Sequence, residues 1–153
     1  MRIGTRLSAI SLVAIMLSAP ALAESRPARA ERELIAAVNQ ARRAQGLPTL
    51  HLDESLAVAA RRHASVMAEH HSAEHAFQGE PSLSARVKQV GFHFTWLSEN
   101  VTQGPNEEFI HTQFMHSPSH RANILDPDMN SIGVGVIERD GQLFAVEDFA
   151  HAH

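Results

Sequence analysis

The hydrophobic pattern changes period along the chain, and that change limits the folds open to it. In four stretches before residue 117, apolar side chains recur every three or four positions, the spacing of one helix face. Beyond residue 131 they gather in short β-rich runs, Ile132-Gly133-Val134-Gly135-Val136-Ile137 and Leu143-Phe144-Ala145-Val146. Arg139-Asp140-Gly141-Gln142 lies between these runs, and Asp-Gly in such a place is a strong signal for a tight hairpin. The two glycines inside the first run predict a bulge or a close backbone approach. Helices followed by a small antiparallel sheet is the element order of an α+β domain.

The four helical stretches have recognisable ends. Leu34, Ile35, Val38, Ala41 and Ala44 line a helix over about residues 31–45, which Gly46 stops and Pro48 cannot extend. Asp53 is the predicted N-cap of a second helix, residues 54–70, with Leu56, Ala59, Ala60, His63, Ala64 and Met67 on one stripe. His63, inside that stripe, reads as a hydrogen-bonded core histidine. A polar loop over 71–82 leads to a third helix, residues 83–90, closed by Gly91. Residues 92–104 read as extended, and a fourth helix covers about 106–116. His70 and His71 fall at the negative end of the second helix, where a cationic ring is favoured.

The N-terminus has a different character. Arg2 and Arg6 precede an apolar run over residues 7–17, and Ala21-Leu22-Ala23 supplies small residues for cleavage. This is the pattern of a secretory signal peptide, residues 1–23, with a run too short for a comfortable membrane span. Cleavage leaves a polar leader, 24–30, and a domain over 31–153; these 130 residues suffice for one buried core. The expected location is periplasmic or secreted, without stable membrane insertion once the signal is removed. Removing the signal leaves 11 basic residues against 17 acidic ones, a formal charge of −6. That balance, with no Lys/Arg cluster, argues against nucleic acid or an anionic membrane as partner. The chain has no cysteine and 11 histidines, so a transition-metal site must draw on imidazoles and carboxylates.

The segment His116-Ser-Pro-Ser-His-Arg-Ala-Asn-Ile-Leu125 sets two histidines four apart. On one continuous helix they would share a face, as in zinc proteases. Pro118 forbids that, because it lacks the donor for the previous turn and pushes Ser117 out of the helical region. Ser117 as N-cap and Pro118 as first helical residue would instead start a new short helix. His120 would then lie in its first turn, where the helix dipole favours the neutral imidazole that binds metal or acts as a base. His116 becomes a helix-end residue.

From Phe114 to Leu125 the sequence resembles the "W-M-x-S-P-G-H-R-x-N-I-L" signature of bacterial extracellular domains of the CAP superfamily, also called SCP-like or YkwD-like. Further pieces agree, in order. They are Leu34 to Leu47 with Asn39 and Arg42, Met67-Ala68-Glu69 followed by His75, Arg86 to Gly91, Ser98-Glu99-Asn100-Val101, and Ile132-Gly133-Val134-Gly135. The resemblance implies an α-β-α sandwich, about four helices around a small antiparallel sheet, with a cleft where His75, Glu99 and His120 converge. Those three would be the ligands of Zn²⁺ or another divalent metal, or with Asn123 the contacts of a bound ligand. Ser98, Phe114 and Ser119 depart from the signature, and Ser117 stands where the larger superfamily has a second glutamate. Glu107 and Glu108 sit where acids favour a helix start.

Three functions remain open on this reading. One is a binding module for a divalent ion or a small apolar, lipid-like or peptide ligand. Another is a metal-assisted hydrolase, with Glu99 and His120 catalytic: Glu99 as general base to a water, and His75 and His120 on the metal or the carbonyl. The third is a structural or surface-interaction domain with the trio as a polar network. A nucleophilic hydrolase is disfavoured, since there is no cysteine and no G-x-S-x-G motif.

Overall fold

Local capping chemistry explains where the helices lie in the computed structural model, which describes residues 23–152. The signal peptide expected over residues 1–23 lies, except for Ala23, outside the described residues. Helix α1 spans Arg26–Ala44, starting five residues before the predicted position. The Ser25 hydroxyl accepts from the Ala28 amide at 3.3 Å, and Pro27 sits in the first turn, where its missing donor costs nothing. The leader is thus mostly the first turn of α1, and Ala30 within it is fully buried. At the other end Gly46 takes φ +72°, and the Leu47 amide reaches back to the Arg42 carbonyl at 3.0 Å, a Schellman closure.

Helix α2, Glu54–His70, follows the Asp53 cap, whose carboxylate accepts from the Ser55 and Leu56 amides at 2.8 and 3.1 Å. Helix α3 spans Leu83–Gln89, α4 Glu107–His116 and α5 Pro118–Ile124. Pro118 breaks the helical segment as anticipated, and Ser117 between α4 and α5 is extended. The Ser117 side chain makes no capping bond, however; its hydroxyl meets that of Ser119 at 3.2 Å instead.

The strands are β1 (His51–Leu52), β2 (Phe94–Gly104), β3 (Ser131–Arg139) and β4 (Gln142–Ala152), in spatial order β1-β3-β4-β2. The hairpin forms with Asp140 at φ +51° and Gly141 at +77°. The sheet is mixed rather than antiparallel, because β1 pairs parallel with Ser131 and Ile132. Two residues carry no periodic signal, so this pairing is invisible to pattern reading. Two helical layers enclose the sheet. Val134 and Val136 of β3 pack with Leu34, Val38, Ile110, Phe114 and Ile124 of α1, α4 and α5. On the opposite face α2 lies directly on Gly133 and Gly135. A Cβ at Gly135 would stand 2.1 Å from the Arg61 backbone nitrogen, and one at Gly133 2.3 Å from the Leu56 carbonyl carbon. The close approach expected at these glycines is therefore the seat of α2.

Candidate ligand-binding site

Pairing between β2 and β4 sets the site. Glu99 lies opposite Asp148, and Asn100 opposite Glu147. Alternation along the strands turns the first pair toward α2 and α3 and the second toward α5. Glu99 accepts from His75 Nδ1 at 2.9 Å through Oε1 and from Arg86 Nη2 through Oε2. Arg86, on α3, also donates through Nη1 to the carbonyls of His75 at 3.3 Å and Pro81 at 3.2 Å. His63 of α2 is fully buried below the same loop, with Nδ1 2.6 Å from Glu80 Oε1 and Nε2 2.9 Å from the Glu74 carbonyl. Glu80 in turn accepts from the Phe77 amide at 3.2 Å. The 71–82 loop is thereby folded around a buried ionic cluster. His63 is the satisfied core histidine its stripe predicted.

This cluster holds one imidazole at the surface. The side chain of Glu99 is 3% exposed and that of His75 is 60% exposed. With Nδ1 donating to Glu99, the other ring nitrogen has no protein partner among the described residues. The Glu99 hydrogen bond, set against partial burial, raises the His75 pKa. Burial would raise the Glu99 carboxyl, but the His75 hydrogen bond and the Arg86 guanidinium outweigh it and hold it below the usual value. Such a carboxylate–imidazole pair fixes the ring's tautomer and direction and leaves Nε2 for an external group.

His120 is half-buried in the first turn of α5, edge-on to Phe114 with ring centroids 5.2 Å apart. Burial lowers its pKa and the charge of His75 lowers it further, which favours the neutral ring. Its ring bonds to neither His75 nor Glu99. Asn123 faces inward: its amide donates to the Glu99 carbonyl at 3.3 Å and to Asn100 Oδ1 at 2.8 Å, tying α5 to β2. Asn100 donates onward to the His120 carbonyl and to Glu147 Oε2, both at 3.2 Å. Sequence reading missed Glu147 and Asp148, both fully buried behind the site. It met Arg86 only as part of a helix-end motif.

Both Glu99 oxygens are engaged, Oε1 by His75 and Oε2 by Arg86, and the side chain is almost wholly buried, so in this arrangement neither oxygen is turned toward water or an ion. Two imidazoles remain, short of the three protein donors of a catalytic zinc site. Among the described residues no group of three or more His, Asp or Glu side chains is arranged to hold a metal ion. The donor set therefore does not fit a resident zinc. Ser98 Oγ is buried without a hydrogen-bond partner, in no position to act as a nucleophile.

Residues 35–149 match the profile of CAP, the cysteine-rich secretory protein family. The chain belongs to the CAP family. The YkwD protein of Bacillus subtilis (strain 168) is 32% identical over 109 residues, which are 71% of this chain and 42% of that protein. This CAP domain thus spans about two-fifths of the relative's length. Among solved structures, an extracellular SCP-domain protein of Bacillus anthracis superposes with a TM-score of 0.76 at 22% identity, covering 81% of this chain and 41% of the other. An outer surface protein of Borrelia burgdorferi gives 0.75 at 20% identity, covering 82% and 94%. The structure of NaASP2 with Zn²⁺ gives 0.61 at 11% identity, covering 86% and 84%. These similarities establish the α-β-α sandwich. No helix among the described residues is long and apolar enough to cross a membrane.

Proposed function

We propose that this CAP domain is secreted and acts as a binding module, taking a small molecule or peptide that offers a hydrogen-bond acceptor to the Nε2–H of the His75 imidazolium, the form that the Glu99 contact favours, beside His120. One observation carries the reading: a surface imidazole is locked at 2.9 Å to a carboxylate that is itself buried and held by Arg86. A purely structural network has no need of an exposed ring at its end, and a ring oriented before binding loses little entropy when it binds. The extracellular and outer-surface relatives support export. The buried, doubly engaged Glu99 supports binding over hydrolysis.

The test is NMR of the ¹⁵N-labelled imidazoles during titration with N-acetylalanine and, separately, ZnCl₂. A saturable shift of His75 Nε2 with N-acetylalanine, and loss of the accompanying amide shifts in His75→Phe, is the expected result. A response to Zn²⁺ alone, abolished equally by His75→Ala and His120→Ala, would replace this reading with a two-imidazole metal site. Silence toward both probes would return the cluster to a structural role.

A further inference from the structure

We propose a second binding site, for an arginine side chain of an extracellular peptide, in the hollow beside Trp96. The hollow has a volume of about 520 Å³ and is lined by Thr95, Trp96, Asp126, Asp128 and His151. Trp96 is the only tryptophan in the chain, and it is 62% exposed. A register shift between Phe94 and Trp96 leaves Thr95 as the extra residue of a bulge, and bulges re-aim the side chains beside them. Trp96 then pairs across the sheet with His151, on the α5 face. The loop after α5 supplies the acids. Asp126 Oδ1 accepts from the Asp128 amide at 2.9 Å, which fixes the turn, and Asp128 is exposed.

The chemistry of the lining selects the occupant. An exposed indole with two neighbouring carboxylates is complementary to an organic cation. A guanidinium uses all of it, because its plane stacks on the indole while its edge donates to carboxylate oxygens. A quaternary ammonium would use the ring and leave the acids without hydrogen bonds. An apolar ligand would desolvate both acids for nothing in return. A metal ion finds no suitable group of three ligands among the described residues. Arg42, fully buried behind the loop, donates to the Asp126 carbonyl at 2.8 Å and offsets part of the acidic charge. The remainder matches one guanidinium. Trp96 also lies on β2, an edge strand of the sheet, where a peptide has room to approach. The site is on the opposite face of the sheet from the His75 loop and stands independently of it.

Emission from Trp96 reports occupancy directly. The purified protein is titrated with N-acetylarginine amide, with its uncharged isostere N-acetylcitrulline amide, and with tetramethylammonium chloride. We expect a saturable change with the arginine compound, at least tenfold weaker binding of citrulline, and a similar loss in Asp126→Asn/Asp128→Asn. Circular dichroism checks that the double variant is folded, and Asp128→Asn alone serves if it is not. Equal responses to arginine and citrulline, undiminished binding in the variants, no response to arginine, or saturation by tetramethylammonium alone would each overturn the proposal.

Discussion

Replacing Glu147 with glutamine should stabilise the domain at neutral pH and do little in acid. Glu147 is fully buried on β4, with one oxygen accepting from Asn100 and the other without a hydrogen bond. Burial raises its pKa from 4.5 to about 8, against a smaller lowering by Asn100. The folded protein therefore keeps a proton between pH 4.5 and 8 that the unfolded chain releases, and stability falls as pH rises through that window. At about 1.4 kcal/mol per pH unit, the loss reaches roughly 3 kcal/mol at pH 7 and roughly 5 kcal/mol above pH 8. Glutamine keeps the acceptor for Asn100 and carries no charge to desolvate. Urea unfolding followed by circular dichroism at pH 4.5, 6.0 and 7.5 measures the difference between Glu147→Gln and the parent. Taking that difference cancels the similar drift from Asp148, which burial and then the neighbouring Glu99 raise well above the carboxylate range. A stability difference that stays constant across the three pH values would refute the reasoning.

Other substitutions probe the framework. Gly135→Ala should cost about 3 kcal/mol or more, because its new methyl meets helix backbone at 2.1 Å, and the urea midpoint should fall. Gly104→Ala should cost less, since its methyl meets the Phe109 ring, which can rotate away. Arg42→Leu should cost about 3–5 kcal/mol by thermal unfolding, because Arg42 donates to the carbonyls of Pro48, Ile124, Asp126 and Met129, which would lose their partner. Glu99→Gln should lower the His75 pKa seen in an NMR pH titration, as the carboxylate that favours the imidazolium is gone. An unchanged titration curve would show that the 2.9 Å contact does not form in solution.

The parts of the fold that are legible in the sequence are those with a local cause. Asp53 caps α2, Gly46 closes α1, Pro118 separates α4 from α5, and Asp140-Gly141 turns the hairpin, each within a few residues of its effect. Where the cause is tertiary, the sequence misleads. The Arg-rich stretch before residue 31 looks like a solvated leader, since only packing against the sheet reveals that Ala30 is core. The second β run, Leu143 to Val146, stops where the apolar residues give way to Glu147-Asp148, yet β4 continues to Ala152. Consecutive side chains on a strand must face opposite layers. On β4, flanked by β2 and β3 and covered on both faces, two adjacent acids cannot both escape burial. Glu147 goes under α5, beside Asn100, and Asp148 under α2, beside Glu99. The same residues that break the hydrophobic pattern thus stand directly behind the two halves of the candidate site. Their burial is tolerable only while they hold protons or share charge with neighbours. The exposed end of the network, His75, is consequently coupled through Glu99 to a buried acid that no residue near it in sequence foretells.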